Sequence, residues 1–326
     1  MMKLDLRQLR RQGAAIAGAH RADTRPLVLL FCGVIAVLSL GSNGLSLYLS
    51  EQIGGTGGLG GMGLRSVLQT AQEVLNLVNI LFGPFWSAGF LFAMMAMVRG
   101  RSPEKRDLTE GFRRFPRILG WLAFEFLLVL ALLMSAVNLA GLLFSFTKQG
   151  AEFAAQMTPI LSDPNIFAAD GTLNLELLPM ELMAPAALTL TLLTMAVFLP
   201  MYAFVSYSFR MSLYLVMDQP IGPVRAHFVS AQLLRGHKWE LVKLDLSFWW
   251  YYLLLAVTSV VGYLDMLLEL LGIAVPIDPM VMFFGTLAAY CVLYTLLCLW
   301  KKCPVDAAYV LAYESILHPE GEPEAV

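Results

Sequence analysis

Charge is scarce in this chain: Asp, Glu, Lys and Arg make up 14% of its 326 residues, against about 25% in a soluble domain. That deficit excludes a soluble globular enzyme and a disordered chain. Basic residues are not in excess either. The formal net charge is −2, so there is no electrostatic footprint for a nucleic-acid partner. Cysteine and histidine number four each. Cys32, Cys291 and Cys298 fall inside hydrophobic runs and Cys303 at the edge of one, without CxxC spacing, which argues against a disulfide framework. His20, His227, His237 and His318 are scattered, so neither a metal nor another cofactor is expected. HExxH, GxSxG, Walker and paired-carboxylate patterns do not occur, and an enzyme is the poorest reading.

What fills the chain instead is apolar: 58% of residues are hydrophobic and mean hydropathy is +0.68. A membrane span needs about 20 mostly apolar residues. Six stretches qualify: Pro26–Ser50, Glu73–Val98, Pro116–Thr147, Pro185–Met217, Glu240–Leu271 and Pro279–Trp300. The first is too long for the apolar core of a cleaved signal peptide. All Lys and Arg except Arg65 and Lys148 cluster before the first span or around the segments that follow the second, fourth and sixth. The alternate loops, 51–72, 148–184 and 272–278, and the span ends beside them hold ten acids: Glu51, Glu73, Glu152, Asp163, Asp170, Glu176, Glu181, Asp265, Glu269 and Asp278. The positive-inside rule then places both termini in the cytoplasm. The expected organisation is a basic amphipathic arm over residues 1–25, a six-span domain over 26–317, and a disordered acidic tail over 318–326. Gly54–Gly63 is a glycine tract without a phosphate-loop signature. Lys148–Met183 is expected to form a short outer helix, too small for a catalytic ectodomain.

The ends of the even-numbered spans look alike. Each opens on an aromatic residue and a helix breaker (Phe82-Gly83-Pro84, Phe198-Leu199-Pro200, Phe284-Gly285) and closes on a proline: Pro103, Pro220, Pro304. Proline cannot donate a helical hydrogen bond, so the closing prolines read as stops at the cytoplasmic surface. An amphipathic segment follows each. Leu108, Phe112 and Phe115 form the apolar side of the first. Val224, Phe228, Ala231 and Leu234 form that of the second, opposite Arg225, Gln232 and Arg235. Val305, Tyr309, Ala312 and Ile316 form that of the third, opposite Asp306 and Glu314. Leu6, Leu9 and Ile16 give the N-terminal arm a similar side. Such helices lie in the membrane interface. The expected fold is an all-α membrane protein of three helical hairpins, each followed by a short interfacial helix, as a threefold internal repeat.

Charges inside spans are expensive and mark candidate sites. Glu125 and Arg210 each sit about 12 Å in from the cytoplasmic end of the third and fourth spans, which makes an ion pair between them the sharpest structural expectation. It reads either as a lock for the bundle or as a gate or carboxylate site. Tyr202, Ser206, Tyr207 and Arg210 form a polar stripe facing it. Asp245 opens the fifth span and could pair with Lys238 or Lys243 or cap the helix; no second polar group near it suggests a general base. Trp249, Trp250, Tyr251 and Tyr252 read as an interfacial aromatic belt or, more weakly, as a stacking platform. Asn76, Asn79 and Asn138 are expected to bond between helices.

The stretch from Met217 to Leu254 resembles the bacterial integral membrane proteins of the "domain of unknown function 975" family. The matching residues are Asp218, Pro220, Ser230, Leu234, Gly236, Lys238, Leu244, Asp245, Leu246, Ser247 and Phe248. Trp249-Trp250 departs from the more typical Gly-Trp, and the acidic loop near Asp163 is long. The resemblance implies a multi-pass protein of the bacterial cytoplasmic (inner) membrane and supplies no activity. Two readings follow. One is a transporter- or permease-like bundle handling a small amphiphile or lipid through a polar site between spans 3 and 4. The other is a non-catalytic scaffold or assembly factor acting through its interfacial helices, with membrane lipids or a membrane protein as partner. For the ion pair the outcome is concrete: Glu125→Arg and Arg210→Glu each lower the yield of folded protein on detergent size-exclusion chromatography, and the double swap restores it.

Overall fold

The computed structural model describes residues 5–55, 62–161, 180–273 and 277–318. Most of the glycine tract, the acidic stretch around Asp163, the tail beyond His318 and the side chain of Asn79 lie outside the described residues. Within them every regular element is a helix. Five helices are long and apolar enough to cross a membrane: Arg21–Leu45, Gln69–Val98, Phe115–Ser145, Met183–Asp218 and Met280–Leu317. A sixth is reached when Lys238–Ser247 and Trp249–Gly262, bent by 65°, count as one span. The chain is a multi-pass membrane protein.

Local chemistry sets the helix ends. The Asp5 carboxylate accepts from the N–H groups of Arg7 and Gln8 at 3.0 and 3.2 Å and so caps α1 (Leu6–Ala19), satisfying donors that have no partner inside the helix. Next come α2 (Arg21–Gly55) and α3 (Met62–Val98). Gly100 ends α3 with φ +82°: the Arg101 N–H reaches the Ala96 carbonyl at 2.9 Å and the Gly100 N–H reaches Met97 at 3.1 Å, the paired bonds of a left-handed glycine terminus. Pro103 follows the stop but does not make it. A 3-10 turn, Lys105–Thr109, leads into α4 (Glu110–Arg113) and α5 (Phe115–Ser145). Then come α6 (Lys148–Leu161), α7 (Met180–Phe209), α8 (Ser212–Asp218) and α9 (Pro223–Leu233). The chain continues through α10 (Lys238–Ser247), α11 (Trp249–Gly262) and α12 (Leu264–Leu270). Capped by Asp278, α13 (Pro279–Leu297) runs through a π-helical turn, Cys298–Lys302, into α14 (Cys303–Leu317).

Three expectations change. Pro84 and Pro200 lie inside continuous helices; away from water an opened backbone has no partner, so a proline is absorbed rather than allowed to break the span. Pro304 is likewise no stop: it lies in the first turn of α14, which continues directly from the π-helical turn before it. The wider π turn just ahead of it carries the helix across the change of register. The span that does break is the fifth, at Phe248, where neither Pro nor Gly occurs.

The chain forms two compact units, Met1–Gly120 with Met211–Val326, and Trp121–Arg210. In the first, α14 lies in the core. Val305, Ala307, Ala308, Tyr309, Val310, Ala312 and Tyr313 are all buried, which corrects the expectation of an interfacial helix. It packs on α1 and α3. The buried side of α1 is Leu9, Gly13 and Ala17, spaced four apart, rather than Leu6, Leu9 and Ile16. A Cβ on Gly13 would stand 2.9 Å from the Ala308 nitrogen, closer than a side chain tolerates, so the two backbones meet here through a glycine. The side of α9 that is buried is Ala226, His227 and Ser230, while Val224 and Phe228 face outward. The α3 helix crosses the 3-10 turn and α4 more closely still: a Cβ on Gly89 would overlap the Leu108 carbonyl oxygen, and one on Gly111 the Phe85 carbonyl oxygen. Phe112 and Phe115 stack on Phe85 there, with ring centroids 5.7 and 4.8 Å apart.

In the second unit, Ala136, Ala140 and Phe144 repeat every four residues as the buried side of α5, a small-residue seam of the kind that lets membrane helices approach. Thr189 donates to the Gln149 side chain at 2.9 Å, joining α7 to α6, the short helix expected in this loop. Phe126, Leu142, Leu192 and Phe204 point outward, as lipid contact requires. Gly89→Ala should lower stability by about 2–3 kcal/mol, whereas Gly83→Ala, with open space around it, should be neutral or mildly stabilising. Thermal aggregation midpoints in detergent would separate the two.

Candidate functional site

The bend of the fifth span opens a groove of about 630 Å³ in the first unit. One wall is the face of α1 that carries Arg7, Arg10, Arg11 and Ala14, at i, i+3, i+4 and i+7. The bend and the first two turns of α11 form the opposite wall with Ser247, Phe248, Trp250, Tyr251 and Leu254. Trp300 and Lys301 enter from the π turn, and Pro304 and Val305 from α14. Single π turns recur at functional sites because they re-aim side chains within a helix. Here Trp300 and Lys301 face the groove, while Lys302 turns inward to Asp306 at 3.0 Å and to the Phe90 ring at 4.8 Å. Trp250 and Trp300 are 61% and 62% exposed, which leaves large apolar surfaces uncovered beside four cations. Arg10 stands 5.3 Å from the Phe248 ring centroid and Lys301 4.6 Å from that of Trp300.

Two polar networks brace this unit. In the first, Arg99 donates to Asp218 at 2.6 Å and through Nε to Glu314 at 2.9 Å, and the Tyr313 hydroxyl donates to Asp218 at 2.9 Å. The network rims a cavity of about 270 Å³ with Gln219, Pro220, Leu317 and His318. The hydrogen bond to Asp218, then the charge of Glu314, holds the Arg99 guanidinium above its ordinary pKa against the opposing effect of burial. In the second, Tyr309 donates to Asp245 and shares a hydrogen bond of 2.7 Å with the Tyr252 hydroxyl. Two phenols therefore lie beside Asp245, where sequence spacing placed no second polar group.

The motif residues mostly have structural work. Ser230 accepts the Met211 N–H at 3.2 Å, steadying the turn between α7 and α8. Gly236, at φ +89°, makes the turn into α10, and Lys238 begins that helix half-buried. Asp218 and Pro220 belong to the first network; Ser247 bonds back to the Leu244 carbonyl at 2.7 Å and lines the groove.

In the second unit, Arg210 sits in the turn after α7 rather than within a helix, 5.7 Å from the Tyr207 ring centroid. Tyr202 stacks on Phe198 at 5.6 Å. Ser206 and Glu125 are half-buried on α7 and α5. The Asn138 amide donates to the Met134 carbonyl of its own helix at 2.7 Å, not across helices. Sequence reasoning missed Arg7, Arg10, Arg11, Trp300 and Lys301 as a group. The i, i+3, i+4 spacing of the three arginines was the available signal.

Comparison with known families matches residues 19–295 to the model described as "Protein of unknown function (DUF975)". No curated protein and no solved structure matches the chain. Asp218→Ala should cost about 1–2 kcal/mol, since Arg99 is partly solvated and retains Glu314. The Asp218→Ala/Arg99→Ala pair should cost less than the sum of the single variants, as read from thermal midpoints in detergent; strict additivity would show that the two groups do not interact.

Proposed function

Because this chain belongs to the DUF975 family, whose function is unknown, its role rests on its own chemistry, and we propose that it is a non-catalytic protein of the bacterial cytoplasmic membrane that holds a small amphiphile or lipid. The observation that carries this reading is the groove between α1, α11 and α14, where cations and exposed indole rings share one concave surface. Such a surface fits a molecule with a polar head and an apolar body better than it fits a soluble metabolite. The continuity of α3 and α7 through their prolines removes one support for a permease with broken helices.

In this reading both termini face the cytoplasm, and the groove lies at the cytoplasmic interface, where tryptophan and arginine are favoured. The Arg99–Asp218 pair ties the end of one even-numbered span to the end of the next. A second reading keeps the stripe of Tyr202, Ser206, Tyr207 and Arg210, with Glu125, as a transport site; the approach of Arg210 to Tyr207 favours it.

Native mass spectrometry of the gently extracted protein distinguishes them. Wild type should carry a bound amphiphile, and Ala14→Trp, which fills the groove, should reduce its occupancy about tenfold while Glu125→Gln leaves it unchanged. Loss in Glu125→Gln with retention in Ala14→Trp would move the site to the stripe. Retention in both would refute either site.

A further inference from the structure

The groove has a charge problem that its own residues do not solve. Arg7, Arg10 and Arg11 project from one face within about a turn of each other, and like charges at i, i+3 and i, i+4 destabilise a helix. Arg7 also stands in the first turn of α1, at the positive end of the helix dipole, where a cation is disfavoured. The helix Leu6–Ala19 contains no acid to neutralise them. Asp5, just ahead of it, is engaged in capping. Lys301 adds a fourth cation from the π turn, and none of the residues lining the groove is acidic. A bound anion would offset all of these costs together.

The apolar half of the groove says what the anion is attached to. Trp250, Leu254, Trp300 and Val305 continue from the cationic rim along α11 and α14, both of which belong to segments apolar enough to cross a membrane. Guanidinium groups recognise phosphate oxygens through paired N–H donors. Resting on the reading that the groove holds an amphiphile, we propose that its occupant is an anionic phospholipid of the membrane. The phosphate lies between Arg7, Arg10, Arg11 and Lys301, and an acyl chain lies along Trp250, Leu254 and Trp300. The π turn is part of the site, because it supplies an indole and an ammonium from consecutive residues.

The test uses the purified full-length protein in neutral detergent, titrated with phosphatidylglycerol or phosphatidylcholine carrying the same brominated acyl chains. Bromine quenches the fluorescence of Trp250 and Trp300 on contact; Trp250→Phe/Trp300→Phe identifies their share of the signal. Wild type should bind phosphatidylglycerol at least about tenfold more tightly. Arg7→Gln/Arg11→Gln should abolish that preference, and Lys301→Gln, which leaves α1 untouched, should weaken it, while both retain phosphatidylcholine binding. Equal binding of the two lipids by wild type would overturn the anionic assignment and leave the amphiphile reading standing. No site-specific quenching by either lipid would overturn both. Displacement of phosphatidylglycerol by glycerol phosphate at equal concentration would show that a soluble phosphate, not a lipid, is the ligand.

Discussion

The burial of the last helix is the constraint on which the first unit depends. α14 meets α1 through the backbone-close contact at Gly13, α3 through Arg99 and Glu314, α8 through Tyr313 and Asp218, and the α10–α11 bend through Tyr309, Asp245 and Tyr252. A helix buried on so many sides cannot carry unpaired polar groups, and its tyrosines and glutamate each find a partner on a different neighbour. Hydrogen bonds of this kind gain from low local dielectric and become costly when one member is lost. The same helix then fixes where the π turn ahead of it points, and so where Trp300 and Lys301 stand.

The irregularities sit together. The π turn, the 65° bend of the fifth span and the arginine face of α1 converge on one groove, while the prolines of α3 and α7 leave those helices continuous. In an apolar solvent an interrupted helix must satisfy the freed backbone groups through the protein itself. At the bend the Phe248 N–H still bonds to the Asp245 carbonyl at 2.9 Å, and Ser247 bonds back to Leu244. The break is thus held by local hydrogen bonds and by the Asp245–Tyr309 contact, which lets it persist beside membrane-length helices.

Hydropathy and the spacing of apolar runs were enough to anticipate the helical class and the presence of several helices long and apolar enough to cross a membrane, because each run of about 20 apolar residues must satisfy its backbone internally. The Asp–Pro turn at Asp218 and Pro220, Ser230, Gly236 and Ser247 were legible as a motif. Their structural tasks were not: the Ser230–Met211 contact spans 19 residues and the Tyr313–Asp218 contact 95. Asp245 shows the limit most plainly. The cations nearest to it in sequence are Lys243 and Lys238, whereas the hydroxyl that bonds to it comes from Tyr309, 64 residues away.

The sequence by itself determined that the protein is helical, apolar and membrane-spanning, with cations gathered in alternate segments, because those properties depend on local composition and on the solvent. Tertiary structure alone decided which proline leaves a helix intact, that the amphipathic segment after Pro304 becomes a core helix, and that three arginines near the N-terminus share a groove with two tryptophans from far along the chain. Amphipathic spacing records that a helix has two faces; only the packing of its neighbours decides which face is covered and by what.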